Sequence, residues 1–399
     1  MMTSIDRKLQ FDHYLLGSIF LVLVGMFRMP VLMTIGFVFI SGITVYGILK
    51  KYLYFQFDIV FIGAIIFYFW LTLTYFWSEN TDYFLERLRI KLPILIVGVC
   101  GLWFQKIDIN HFKRFSYLFV ALMIFSTLPS IVVYFSMKDY YDHQYLYGWT
   151  IPIPFLSHIR YGLMLVVAFQ ISLYLYFTFK NRIFIWAGLF LFVVINIFAV
   201  RSAIATLYIS ILVFIVFELF KTRNFKSTFI VTILLVLSIL FSYNYVPSFR
   251  NKINYTKWGI QQLFIKGKSE SSDEGRYISL VLGTECLKEN FWFGCGEGDL
   301  KDEIAKKYQR LNEEGHSYEI KMPHNQFIWT WASSGVFGCL LLIGFLGTVF
   351  VKGIYKSNVW SIMFVLTAAL SMTVEQTLET QLGVSFVMLP LLFFSKLKT

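Results

Sequence analysis

Charged residues are scarce in this chain. Asp, Glu, Lys and Arg make up only 15% of its 399 residues, whereas a soluble domain usually contains about 25%. Hydrophobic residues make up 57% of the chain, and 44 of these are Phe. This balance excludes an ordinary water-soluble protein. We therefore expect most of the chain to lie in a lipid bilayer, with membrane lipids as its first partners.

Cysteine is equally scarce, with four in the whole chain. Cys100 and Cys339 fall in apolar runs, where we expect them to pack like other core residues. Cys286 and Cys295 fall in the longest polar segment and could form a disulfide if that segment faces an oxidising compartment. No His, Cys or Asp spacing resembles a set of metal ligands, so we predict neither a metal nor a cofactor.

Long apolar runs account for the composition. A helix of about 18 uncharged residues crosses about 30 Å of hydrocarbon, and these runs do not alternate as the strands of a membrane barrel do. The stretch 183–220 is too long for one crossing, so we predict a turn at Arg201. The sequence predicts an all-α integral membrane protein with about twelve transmembrane helices. Their runs are 13–27, 29–49, 58–77, 91–105, 115–135, 161–179, 183–200, 202–220, 227–246, 325–350, 357–374 and 380–395.

Basic residues accumulate in every second loop. Lys and Arg mark the cytoplasmic side of short membrane loops, so this alternation places both termini in the cytoplasm. The net charge of +11 is largely this topology signal. No basic stripe with interleaved aromatic residues lies in a soluble segment, so we expect no nucleic-acid partner. The chain then divides into helices one to nine (1–246), a large outward loop with amphipathic helices (247–324) and helices ten to twelve (325–399).

Several isolated arginines lie on the predicted outward side, next to the ends of apolar runs. They are Arg89, Arg160, Arg201 and Arg276. A positive-inside protein should avoid arginine there, and a guanidinium group suits phosphate oxygens two at a time. We therefore predict that the set binds phosphate. The alternative is that each side chain merely extends to water or caps a carbonyl.

His324 lies where the outward loop meets the tenth run, beside Asn325. Imidazole titrates near neutral pH and can accept a proton from a sugar hydroxyl; an interfacial His that only forms hydrogen bonds is the alternative. Glu375 and Glu379 are four residues apart, so on a helix they would share a face. There they could bind acceptor hydroxyls or steady the arginines, unless they are simply a solvated loop pair.

One pattern around His324 resembles a known family. His324-Asn325, nine residues, then Gly335 and Gly338 resembles the His-Asn-x9-Gly-x-x-Gly signature of O-antigen ligases. The segment from Arg276 to 291–296 (FWFGCG) and the Arg201-Ser202 pair also resemble elements of that family, although a Val precedes Arg201 where the family usually has Ser or Thr. Related O-antigen polymerases share the same domain.

The resemblance implies a GT-C-like, metal-independent, inverting glycosyltransferase of the bacterial inner membrane, with its large loop in the periplasm. The donor would be a glycan on undecaprenyl diphosphate. A ligase would transfer it to the lipid A core or a similar surface acceptor, and a polymerase would transfer it to another lipid-linked repeat. His324, Arg276 and Arg201 would be catalytic. Substrate would be bound by Arg160, Arg89, Asn325, Glu375 and Glu379.

A transporter, such as a flippase for lipid-linked glycans, is the main alternative class. Transporters tend to show internal repeats and charged or broken helices near the middle of the membrane. The apolar runs here contain few ionisable residues away from their ends. A purely structural scaffold would explain neither His324 nor the arginines, so we favour an enzyme that works at the membrane surface.

Overall fold

The computed structural model describes residues 4–27, 29–104, 109–153, 157–266, 272–314 and 318–396. Over these residues it contains helices and no strands, which confirms the predicted all-α class. Two short 3-10 helices lie at Thr74–Trp77 and Thr377–Glu379. The α-helices are α1 Ser4–Gly25, α2 Pro30–Leu49, α3 Ile59–Leu73, α4 Thr81–Trp103, α5 Ile109–Ser136, α6 Lys138–Tyr145, α7 His158–Phe179, α8 Ile183–Phe198, α9 Arg201–Thr222, α10 Phe225–Tyr245, α11 Pro247–Lys266, α12 Ser272–Glu289, α13 Leu300–Glu313, α14 Gln326–Tyr355, α15 Val359–Val374 and α16 Gln381–Lys396.

Each of the twelve apolar runs forms a helix. Within the described residues, seven helical segments are long and apolar enough to cross a membrane, and four more apolar helices are shorter. The remaining run is α4, whose first turns carry charged side chains. The chain is therefore an integral membrane protein, while the exact number of crossings and the side on which each loop lies remain predictions.

The predicted turn before Arg201 is present. Helix α8 ends at Phe198, and the next residue, Ala199, caps it in the left-handed conformation with φ of 49°. Val200 is extended, and α9 begins at Arg201. Two residues are therefore enough to separate these apolar helices.

The chain folds into two compact units. The first contains Met1–His111, Gly275–Lys356 and Ser371–Thr399, and the second contains Phe112–Glu274 and Ser357–Leu370. In the first unit, α3 packs against α4 and α14. In the second, α7 packs against α8 and α9, and the buried Gln170 amide donates to Ser210 and Thr367 at 2.8 Å each.

In the described parts of the segment 247–324, namely 247–266, 272–314 and 318–324, lie the helices α11 to α13. The polar pattern at 299–314 corresponds to α13, and the amphipathic pattern at 277–293 corresponds to α12 and the turn after it. A hydrophobic cluster joins α12, α13 and the start of α14. Its buried members are Leu282, Cys286, Leu300, Ile304, Tyr308, Trp329 and Ala332.

The cysteines are free thiols, including Cys286 and Cys295. Cys286 is buried in the cluster just described, and Cys295 packs against it. Burial raises the pKa of Cys286 to about 12. Both thiols therefore behave as apolar packing groups in this structure.

Candidate active site

The signature glycine Gly335 breaks helix α14. Its φ of 73° and ψ of −179° lie in a region open almost only to glycine. A Cβ at this position would lie 2.0 Å from the carbonyl oxygen of Trp292, so the segment 291–298 approaches the broken helix backbone to backbone. Three N–H groups donate across this contact: Val336 to Phe291 at 3.0 Å, Cys295 to Ala332 at 2.9 Å and Gly296 to Ser333 at 2.9 Å.

His324 lies immediately before α14, and Asn325 caps that helix. The Asn325 Oδ1 atom accepts from the backbone N–H groups of Phe327 and Ile328 at 2.9 and 3.1 Å. Its Nδ2 atom donates to the carbonyl of Thr373 at 3.2 Å. These bonds fix the chain that carries His324 and give Asn325 a structural role. Contact of Asn325 with substrate remains a prediction.

Arg276, His324 and Glu375 form a cluster, called here the Glu375 cluster. One carboxylate oxygen of Glu375 lies 3.6 Å from His324 Nδ1 and 3.8 Å from Arg276 Nη2. The Glu375 side chain is 11% exposed, against 22% for His324 and 31% for Arg276. These distances exceed those of hydrogen bonds, so the contacts are electrostatic. The Glu375 carboxylate thus lies between the permanently charged guanidinium of Arg276 and the imidazole of His324, which is partly exposed to solvent.

The prediction that Glu375 and Glu379 share a helix face is wrong. Helix α15 ends at Val374, and a short 3-10 turn over Thr377–Glu379 follows it. The α-helical register is lost between the two carboxylates, so their side chains reach different partners. Glu375 enters the Glu375 cluster, whereas Glu379 is only 4% exposed and faces the protein interior.

Glu379 belongs to a buried ionic network that includes Lys91, Glu297, Gln326 and Ser333, called here the Lys91 network. Lys91 Nζ lies 2.5 Å from Glu297 Oε2 and 2.9 Å from Glu379 Oε1. Ser333 donates to Glu297 at 2.7 Å, and Gln326 donates to Glu379 at 2.9 Å. The network therefore joins helix α4, the segment 291–298 that contains Glu297, helix α14 and the turn that follows Glu375.

This network contains one lysine for two carboxylates. Burial raises the pKa of Glu379, Lys91 opposes that rise, and the nearby Glu297 adds to it. A proton on Glu379 would balance the charges of the network. Lys91 was not among the predicted site residues, although a lysine at the start of an apolar run is a usable signal because buried lysines require partners.

Arg89 is exposed on α4. Arg87, two residues earlier and thus on the other side of the helix, donates from Nη1 to the carbonyl of Glu379 at 3.2 Å. Its guanidinium also lies 4.7 Å from the centre of the Tyr83 ring. Arg87, which was not among the predicted site residues, is therefore the arginine of α4 that contacts the turn after Glu375.

Arg160 and Arg201 lie in the second unit, each in the first turn of a helix. The two helix starts are in close contact, because a Cβ on Gly162 would lie 2.8 Å from the Cβ of Ala203. Arg201 Nη1 donates to Thr256 Oγ1 at 3.4 Å. Helix N-termini carry partial positive charge, so the starts of α7 and α9 add to the charge of these two arginines, and phosphate binding there remains a prediction.

Residues 188–343 match a family model described as O-antigen ligase. This match supports a relation of that segment to the O-antigen ligase and polymerase superfamily. Members of that superfamily are glycosyltransferase-like ligases and polymerases that use lipid-linked glycans and acceptors, which supports an enzymatic role for this chain. The comparison with curated proteins finds no match.

The superfamily match covers only part of the site. It includes Arg201, Arg276 and His324, together with the broken helix at Gly335. Glu375, which completes the cluster around His324, lies beyond the matched segment. The structure therefore places beside His324 a carboxylate that lies outside the matched segment.

Proposed function

We propose that this enzyme transfers a glycan from undecaprenyl diphosphate to a hydroxyl of the lipid A core, or of a similar surface acceptor, at the periplasmic face of the inner membrane. The observation that carries the proposal is the Glu375 cluster, in which a half-buried His324 and Arg276 share one carboxylate. This set can accept a proton and stabilise a phosphate within one unit of the fold.

In the proposed reaction, His324 accepts the proton of the acceptor hydroxyl as the hydroxyl oxygen attacks the anomeric carbon of the donor. The bond from that carbon to the diphosphate breaks, and the electron pair leaves with undecaprenyl diphosphate. Attack opposite the leaving group inverts the anomeric centre. Glu375 stabilises the imidazolium that forms on His324, as an orienting carboxylate does beside other catalytic histidines.

In this proposal, arginine stabilises the negative charge that develops on the departing diphosphate. Arg276 offers paired donors that match phosphate oxygens, and fixed donors aimed at developing charge lower the barrier to group transfer. Arg160 and Arg201 lie in the second unit, and phosphate binding by them remains a prediction from the sequence. Because these side chains carry the charge, we expect transfer by the purified protein to persist in excess EDTA.

The decisive experiment compares wild type with His324→Ala in reconstituted membranes, measuring the transfer rate and the donor affinity together. Loss of a general base should lower the rate by about 10²–10⁴-fold, with little change in donor affinity because the arginines remain. Transfer at the wild-type rate, or a defect due entirely to lost donor binding, would contradict the proposed role of His324.

Ligase and polymerase activity differ in what reaches the cell surface. In a strain that lacks this protein, loss of all attached glycan from the surface acceptor is the result expected for a ligase. Attachment of a single repeat would instead identify the chain as a polymerase, with the same chemistry at His324. Gel analysis of the surface glycan distinguishes the two outcomes.

A further inference from the structure

One member of the Lys91 network lies two residues from His324. Gln326 is the first residue of α14, and it is only 1% exposed. Its side-chain amide makes three hydrogen bonds: Nε2 donates to Glu379 Oε1 at 2.9 Å and to Thr330 Oγ1 at 3.1 Å, and Oε1 accepts from the backbone N–H of Leu378 at 2.7 Å. Both donors and the acceptor of the amide are therefore in use, and two of the three bonds reach the turn after α15.

Glu375 lies between two points at which this turn is attached to the start of α14. On the N-terminal side of Glu375, Asn325 Nδ2 donates to the carbonyl of Thr373 at 3.2 Å. On its C-terminal side, Gln326 Oε1 accepts from the N–H of Leu378. Two consecutive residues, directly after the histidine, thus hold both ends of the short segment that carries Glu375.

The contacts that Glu375 makes with His324 and Arg276 are too long to fix its carboxylate by themselves. They measure 3.6 and 3.8 Å, whereas a hydrogen bond between such groups is about 2.7–3.2 Å. Both partner side chains are also partly exposed, and ionic contacts near solvent are weak. The position of the carboxylate therefore depends largely on the backbone that carries it.

The backbone around Glu375 is irregular. A 3-10 turn over Thr377–Glu379 follows the end of α15. The N–H of Thr377 donates to the carbonyl of Glu375 at 2.9 Å, and the hydroxyls of Thr377 and Ser371 lie 2.8 Å apart. These bonds give the turn its shape, but they do not set its distance from His324. Attachment to the start of α14 sets that distance.

We propose that Gln326 is a positioning residue, which holds the turn after α15 so that the Glu375 carboxylate stays beside His324. The inference rests on the proposed transfer reaction, in which Glu375 stabilises the imidazolium that forms on His324. Gln326 is buried and acts through Glu375. Its loss should therefore slow the chemical step and leave donor binding, which is assigned to the arginines, unchanged.

Gln326→Leu tests this role, because leucine fills a similar volume and makes none of the three hydrogen bonds. Variant and wild type would be compared in proteoliposomes, with donor and acceptor lipids extracted from cells that lack this protein. We expect kcat to fall about tenfold to a hundredfold, the cost of misplacing a reacting group by about 1 Å. The KM for the donor should not change, since ground-state binding is retained.

Two further variants control for folding. Thr330→Val removes the third partner of the Gln326 amide, which lies on α14 itself, and it leaves both bonds to the turn in place. This variant should keep the wild-type kcat. Gln326→Asn keeps a buried amide that is one methylene shorter and cannot reach both partners in the turn. It should lower kcat without changing the donor KM, even if the leucine variant does not fold.

A double variant shows whether Gln326 acts through Glu375. Gln326→Leu added to Glu375→Gln should slow transfer by less than about twofold beyond Glu375→Gln alone, because residues that act as a unit have non-additive effects. Losses that multiply would show a general structural role and would overturn the proposal. A raised donor KM at the wild-type kcat, or an equal loss in Thr330→Val, would also overturn it.

Hydrogen exchange separates this inference from the proposed function, because it needs no substrate. Measured by mass spectrometry with electron-transfer fragmentation, the Leu378 amide should exchange about fivefold faster in Gln326→Leu, the effect of losing about one net hydrogen bond. It should exchange at the wild-type rate in Thr330→Val and His324→Ala. Faster exchange in Gln326→Leu, beside normal transfer by His324→Ala and Glu375→Gln, would count against the proposed chemistry. Unchanged exchange, beside lost transfer in His324→Ala, would count against the role of Gln326 alone.

Discussion

At the scale of single residues, Glu375 links the two groups assigned to chemistry, because its carboxylate contacts both His324 and Arg276. Glu375→Gln keeps the shape of the side chain but removes the charge that stabilises a protonated His324. We expect the transfer rate to fall by about 10²–10⁴-fold, the range seen when a histidine loses its base function or its orienting carboxylate. The rate would be measured in proteoliposomes with saturating donor.

The comparison variant for this prediction is Glu314→Gln, which removes a solvent-exposed carboxylate of the same unit that is not part of the Glu375 cluster. It should transfer glycan as wild type does. An unchanged rate in Glu375→Gln would limit Glu375 to holding Arg276, and His324 would then act without a carboxylate partner.

His324, Arg276 and Arg201 could be selected as candidates from the sequence because such residues are unusual at the predicted outward ends of apolar runs. The sequence could not place Glu375 beside His324, because 51 residues separate them and the contact depends on how α14 meets the end of α15. The contact of Arg87 with the turn after Glu375 could not be predicted for a related reason. Which arginine faces the protein depends on the rotation of α4 about its axis, which packing with other helices decides.

At the scale of helices, the break in α14 is the feature with the clearest backbone requirement. Gly335→Ala would place a Cβ against the carbonyl of Trp292 in a conformation that alanine avoids. We expect a loss of at least about 1–3 kcal/mol in the free energy of unfolding, seen as a lower melting temperature in detergent, together with reduced transfer. Gly344 of the same helix has open space around it, so Gly344→Ala should leave stability nearly unchanged or raise it.

The Lys91 network gives a prediction about pH. Glu379 has a raised pKa in the folded protein, so the folded state binds more protons there than the unfolded state does. Stability contributed by this group is therefore present at low pH and is lost as pH rises above the ordinary value of about 4.5. Glu379→Gln should flatten that decline, as measured by melting temperatures from pH 4.5 to 8.

Within the Lys91 network, Glu297→Gln is the control for Glu379→Gln. Both of its carboxylate oxygens are occupied, one by Lys91 and one by Ser333. An amide at this position would turn one acceptor into a donor facing another donor. Glu297→Gln should therefore destabilise the protein across the same pH range, by about 1–3 kcal/mol for the broken buried hydrogen bond. Equal effects of the two substitutions would contradict the assignment of the proton to Glu379.

Helices were predictable from the apolar runs, but their internal irregularities were not. The run 325–350 gives no sign of a break, since glycine is common in membrane helices. Gly335 departs from helical geometry because the backbone of the turn at 291–298 is hydrogen-bonded to it from outside. Because the segment 291–298 is distant from Gly335 in sequence, no local sequence pattern predicts the break in the helix.

At the scale of the whole molecule, the alternating basic loops predict which segments face outward. Single cysteines at Lys257 and Arg310 should react with a thiol reagent that cannot cross the membrane, whereas cysteines at Arg182 and Arg223 should not react in intact cells. All four positions are exposed in the structure, so packing does not confound the comparison. The background would carry Cys295→Ala, because Cys295 is the native thiol that is only partly buried.

Labelling of the positions at Arg182 and Arg223, with protection of the other two, would invert the predicted topology. The Glu375 cluster would then face the cytoplasm, and a periplasmic transfer reaction would be impossible. Permeabilised cells provide the control, because all four cysteines should react once the reagent reaches both faces.

The short connection between α8 and α9 has a consequence for biosynthesis. In the predicted orientation, Arg201 must be carried across the bilayer, and insertion scales place the cost of an Arg at the centre of a helix at about 2.5–3.5 kcal/mol. Two residues between the helices leave too little chain for α8 to enter the bilayer and wait for α9. The two helices must therefore enter as one hairpin, and the ribosome must have completed α9 before Arg201 can reach the far side.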